Sequence, residues 1–144
     1  MRRSFTYLFP FCFVALLLAS CIKGQSAADI AAEFPSGTFT GQFRAIHKTT
    51  TKIDTQKANI TLTLSTQTGF KITGDTATLH AGSHGGYLFN TTYGFFSDST
   101  YSATSTSTKV HLNGTYLYSF SGTALQMLQV SGDTLSYQYD LVKQ

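Results

Sequence analysis

The chain has no tryptophan, only two cysteines and two prolines, and only 12% of its 144 residues are charged. Both cysteines, Cys12 and Cys21, fall in the first 21 residues, so the remainder can form no disulfide. No apolar run is long enough to span a bilayer. The longest, Tyr7 to Leu18, is interrupted by Pro10 and Cys12 and falls short of the roughly 20 residues a spanning helix needs. After Pro35 no segment carries a helical stripe, which excludes a helical domain. The motifs of common hydrolases are missing too: there is no Gly-x-Ser-x-Gly elbow, and Asp75, Asp98 and Asp133 sit in turn contexts where Asp caps its own backbone. These features predict no catalytic residues and no cofactor.

What is present begins with an address. Arg2 and Arg3 precede the short apolar run, and small residues close it, as in an export signal over residues 1–20. Leu18-Ala19-Ser20-Cys21 resembles the lipobox of bacterial lipoproteins. That resemblance implies cleavage before Cys21, acylation of its thiol and a membrane anchor; each buried methylene adds about 0.8 kcal/mol, so two or three acyl chains hold stably. Cleavage removes two of ten basic residues while all seven acidic ones follow Cys21, and the formal charge drops from +3 to +1. No basic patch is left to attract nucleic acid. Residues 21–35 are small and polar and read as a tether.

Residues 36–144 form one domain of about 109 residues, near the usual size for one core. Its period is two. Phe39, Gly41, Phe43 and Ala45 alternate with polar residues, as do Ala58, Ile60, Leu62 and Leu64, and then Leu135, Tyr137, Tyr139 and Leu141. Alternation places each set on one face of a half-buried strand. Gly74-Asp75, Asn113-Gly114, Ser121-Gly122 and Gly132-Asp133 mark corners between strands. Strands are predicted over 37–47, 57–65, 69–73, 76–81, 86–91, 109–113, 115–121, 124–131 and 134–142. Residues 97–108 read as a long loop with an edge strand near Tyr101. Short connections make neighbours antiparallel. The expectation is an all-β antiparallel up-and-down barrel, or a two-sheet sandwich, of eight to nine short strands.

The closing stretch LNGTYLYSFSGTALQMLQVSGDTLSYQYDLVKQ resembles small lipoproteins of the Bacteroidota, with Gly37-Thr38-Phe39-Thr40-Gly41 similar to their opening strand and Phe96 to Tyr101 to their middle section. The resemblance implies a lipocalin-like, calyx-shaped barrel of uncharacterised role. The first strand departs from the Gly-x-Trp of lipocalins, since Phe39 stands where Trp would be. The resemblance also implies an outer-membrane location. Surface-exported members carry an acidic run after the cysteine; Ile22 and Lys23 follow here, which points to the periplasmic face. Asp75-Thr76-Ala77, Asp98-Ser99-Thr100 and Asp133-Thr134-Leu135 resemble O-glycosylation acceptors of the same envelopes, at Thr76, Ser99 and Thr134.

Phe39, Phe43, Tyr116, Tyr118, Phe120, Tyr137 and Tyr139 are the candidate lining of a site for a small apolar or amphiphilic ligand; the same rings serve equally as core. A barrel of eight strands is either filled by its own side chains or holds one small ligand. His80 and His84 have a metal-like spacing. Their glycine-rich setting argues against a shared helix face, and on a strand they stand about 13 Å apart, so no metal site is assigned and both read as polar loop histidines. Two functions follow. One is a lipid-anchored envelope protein that binds a small apolar molecule in a cavity. The other is a structural or protein-interaction module with a filled core and an exposed apolar patch.

Overall fold

The computed structural model describes residues 33–144. The signal segment at 1–20, Cys21 and the tether as far as residue 32 lie outside the described residues. Eight strands run in order: β1 (Gly37–Lys48), β2 (Ile53–Ser65), β3 (Gly69–Gly74), β4 (His84–Phe89), β5 (Tyr93–Asp98), β6 (Gly114–Phe120), β7 (Ala124–Ser131) and β8 (Leu135–Lys143). Each pairs antiparallel with the next, and β8 returns to β1, so the sheet closes into a barrel. Closure removes the sandwich alternative.

The alternation drives the closure. Phe39 and Phe43 of β1, Ala58 to Leu64 of β2, Phe70 and Ile72 of β3, Leu125 and Met127 of β7 and Tyr139 and Leu141 of β8 are all buried in one interior cluster. Thr40, Gln42 and Arg44 take the outer face of β1, where Arg44 forms an ion pair with Asp140 across the closing seam. Gly41 turns inward where β8 passes closest; a side chain there would collide with the backbone of Asp140 and Leu141. The absence of a Cβ lets the first and last strands meet. Among the described residues the ladder closes on itself around one continuous core, and residues 32–144 form one compact unit.

The up-and-down order divides the connections between two ends. Residues 33–36 lead in at one end, with the turns after β2, β4 and β6; this is called the leading end. The loops after β1, β3, β5 and β7 gather at the other. There the two long connections, residues 75–83 and 99–113, join through a parallel bridge between His80 and Val110, reinforced by Ala81 N–H donating to the Val110 carbonyl at 2.8 Å.

Three expected strands are corrected. Residues 76–81 form turns, because Gly74 takes a positive φ of 102° and breaks the ladder, sending the chain across the barrel mouth. Residues 109–113 contribute one bridge in place of a strand. No edge strand forms near Tyr101, which is exposed in the loop and lies edge-on to His111 at 5.5 Å. The missed strand is β5, set off from β4 by an Asn turn: Asn90 Oδ1 accepts from the N–H groups of Thr92 and Tyr93 at 2.8 and 2.6 Å.

Candidate functional site

The candidate ligand-lining rings converge inside the barrel, but four of them line no cavity. Phe39, Phe43, Tyr116 and Tyr139 are each 0% exposed, so solvent does not reach their rings. Phe43 packs on Tyr139 at 4.9 Å between ring centroids, Tyr139 on Tyr116 at 5.6 Å, and Tyr116 on Phe96 at 5.7 Å. The rings touch each other and fill the middle of the interior, while Tyr137 borders a pocket of about 270 Å³ at the barrel mouth with Ala45, Leu79 and Val110. Tyr118, Phe120 and Tyr137 are partly buried and stand toward the ends. Tyr118 packs on Phe89 at 4.8 Å and donates its hydroxyl to the Asn90 carbonyl at 2.7 Å, closing the leading end with Phe120.

The other end is closed by a histidine that the sequence reading left in a polar loop. His80 is fully buried. Its Nδ1 lies 2.6 Å from the Ala81 carbonyl oxygen, so that nitrogen carries the proton, and Nε2 accepts from the Tyr139 hydroxyl at 2.8 Å. Phe43 meets the ring edge-on at 4.8 Å. Burial depresses the His80 pKa to about 4, although the Ala81 carbonyl favours the charged form. The next ring, Tyr116, has a buried hydroxyl with no hydrogen-bond partner among the described residues, and burial pushes its pKa up to about 12.

Asp98 anchors the second long loop. Thr100 donates both its N–H and its hydroxyl to Asp98 Oδ1, at 2.7 and 2.6 Å, and His111 Nδ1 lies 2.7 Å from Oδ2. Burial opposes the charge on Asp98, yet the Thr100 and His111 contacts outweigh it and hold the carboxyl below its ordinary range. The trio looks like a hydroxyl, an imidazole and a carboxylate, but the order is wrong for nucleophile activation. The Thr100 hydroxyl spends its proton on the carboxylate and not on the ring, so His111 does not act as its base. The group clamps residues 98–113 instead.

His84 is exposed on β4, whereas His80 is fully buried. Among the described residues no cluster of three His, Cys, Asp or Glu side chains could hold a metal. Thr76, Ser99 and Thr134 all fall in turns that follow β3, β5 and β7, at the end opposite residues 33–36; Ser99 and Thr134 are exposed and Thr76 is half-buried.

Two surface features were not read from the sequence. First, the outer face of β4 to β7 carries no Lys, Arg, Asp or Glu; Asp98, the one acidic residue in these strands, points inward. On it Leu88 pairs with Phe95, Tyr93 with Leu117, and Leu117 with Leu128, giving an apolar stripe across four strands. Leu88 is 66% exposed and Leu117 49%. Second, the β3–β4 seam holds only two residue pairs, Phe70 with Gly85 and Lys71 with His84. Beyond Gly85 it opens at the leading end into a cleft of about 670 Å³ whose lining, from Phe34 and Pro35 across Gly69 to Tyr87, Leu88 and Phe89, bears no charge. Compared with known proteins, the chain matches no family model, no curated protein and no solved structure, so the architecture rests on its own topology.

Proposed function

We propose that this protein is a lipid-anchored component of the cell envelope that works without catalysis, as a structural and protein-interaction module and not as a carrier of a ligand in its barrel. The observation that carries this reading is the combination of a filled interior with a charge-free outer face. Four rings at 0% exposure fill the middle of the barrel, and the stripe from Leu88 to Leu128 presents an apolar patch of the kind that marks contact surfaces. Burying that patch against a partner desolvates no charge, whereas the face formed by β8, β1 and β2, with Arg44, Asp140 and Lys57, would. The anchor is Cys21 within Leu18-Ala19-Ser20-Cys21, and the resemblance to Bacteroidota lipoproteins supports an outer-membrane protein facing the periplasm. An eight-stranded antiparallel barrel agrees with their lipocalin-like type.

The test is photo-crosslinking in cells. Benzoylphenylalanine placed at Phe95, on the stripe, should give a discrete protein adduct; the same probe at exposed Thr55 on β2 should not. A small apolar molecule retained in equal ratio in native mass spectra, with no adduct from Phe95, would overturn the reading in favour of a ligand carrier.

A further inference from the structure

The β3–β4 seam leaves backbone groups of β4 without a strand beside them. Ser99 N–H donates to the His84 carbonyl, and Asn90 N–H to the Tyr93 carbonyl, both at 2.9 Å. Even-numbered residues of β4 therefore face β5 in hydrogen-bonded pairs, and odd-numbered ones face β3. Ile72 N–H donating to the Ser83 carbonyl at 2.7 Å fits the same alternation. The β3 ladder stops at Gly85. Among the described residues no strand pairs with the N–H and C=O groups of Tyr87 and Phe89 on that side. Free edges are usually blunted by charge, proline or a bulge; β4 has neither charge nor proline from Gly85 to Phe89.

Gly86 points the same way. Its φ is not positive, and an added Cβ would meet nothing within 4 Å. Neither the backbone conformation nor a neighbour within the chain requires glycine there. A glycine inside a strand is the residue that lets a ligand or another backbone approach closely.

We infer that the cleft between β3 and β4 is a strand-addition site, where an extended peptide segment of a partner protein, without charged side chains, pairs with β4 at Tyr87 and Phe89 and packs on Leu88 and Phe34. The inference rests on the interaction-module reading and narrows it to one edge. An acyl chain would satisfy the apolar walls but would bury the free N–H and C=O groups unpaired, at a cost. A peptide backbone satisfies both, which is the chemistry of β-augmentation.

The test uses residues 33–144 and, in parallel, residues 22–144, with a capped peptide of alternating threonine and valine as the probe. Residue-resolved hydrogen exchange should show the Tyr87 and Phe89 amides slowed about tenfold or more by the peptide, as expected for new backbone hydrogen bonds. Gly86 and Leu88, already bonded to β5, should not change. The same peptide N-methylated at alternate residues should lose the effect, and Tyr87→Pro, which removes a free-edge N–H and no β5 bond, should lose it too. Equal action of the methylated and unmethylated peptides overturns the proposal even if Tyr87→Pro fails to fold. So does perturbation of the cleft by decanoate with no response to the peptide, which marks a lipid groove. Protection already present in residues 22–144 and lost in 33–144 also overturns it, since the occupant is then the chain's own tether. A Phe95 adduct that persists when the peptide test fails leaves the module reading standing and removes only this site.

Discussion

Acid should loosen this barrel through one side chain, His80. The ring is sealed between Phe43, Tyr139 and the Ala81 carbonyl, with Tyr116 behind Tyr139; the other titratable groups that act on it are His111 of the second loop and Asp98 at the end of β5. Its pKa is held at about 4 in the fold against an ordinary 6.5 in the unfolded chain. The folded state therefore binds the proton less readily than the unfolded state. Stability from this group is whole above pH 6.5, falls as the pH drops from 6.5 to about 4, and levels off below. The gap between the two values corresponds to about 3 kcal/mol, a large share of the 5–15 kcal/mol typical of a domain. The assay is urea unfolding of residues 33–144 across that range, for wild type and for His80→Gln. Glutamine can still accept from Tyr139 but cannot titrate, and subtracting its curve removes every other group. Asp98 does not confuse the window, because its depressed pKa places its loss at lower pH. If the two proteins lose the same stability between neutral pH and about 4, the ring is not buried neutral and the description of the plug is wrong.

The two interior tyrosines should behave oppositely. Tyr139→Phe removes the hydroxyl that His80 Nε2 accepts from and should destabilise by about 1–3 kcal/mol, whereas Tyr116→Phe removes an orphan hydroxyl and should be neutral or slightly stabilising; chemical denaturation checks both. Gly41→Ala should cost more than about 3 kcal/mol or prevent folding, because the methyl meets β8 backbone that cannot move aside; loss of dispersed amide resonances would show it. Cys21→Ser should abolish incorporation of labelled palmitate into the full chain, and residues 33–144, which lack Cys21, should still unfold cooperatively because they hold the core cluster; full incorporation into the variant would refute the anchor.

Much of the barrel was legible because strand alternation is a local signal. Thr38 to Arg44, Ala58 to Leu64 and Leu135 to Leu141 carry it, and each became a strand with the expected set of residues on its inner face. The reading failed at β5, where glycine takes an inward position in a run of only six residues with few others to carry the period, unlike Gly41 in the long β1. In Tyr93-Gly94-Phe95-Phe96 the inward site at Gly94 has no side chain to mark it; the Phe89 ring fills that space from the neighbouring strand, so the pattern is complete only in three dimensions. His80 failed for a different reason. Its glycine-rich surroundings resemble a surface loop, and only the path of residues 75–83 over the barrel mouth makes it core. Whether the seven aromatic candidates line a cavity or fill one depends on barrel size, to which alternation is blind. The free edge of β4 depends on where a neighbouring ladder stops, which no property of β4 itself records.

The topology gives the molecule a direction. Residues 33–36 lead into β1 at the end where β4 and the open seam finish. Thr76, Ser99 and Thr134 follow odd-numbered strands, and in an up-and-down barrel all such turns lie at the opposite end. Any sugar attached there would project from the end opposite residues 33–36, alongside the loop clamped by Asp98 and the loop that carries His80. The charge-free stripe from Leu88 to Leu128 runs around the wall between the two ends. The same division that fixes the ladder thus separates a closed, modifiable cap from an open edge and an apolar flank. It places the features suited to a partner on the wall and at the leading end of the barrel.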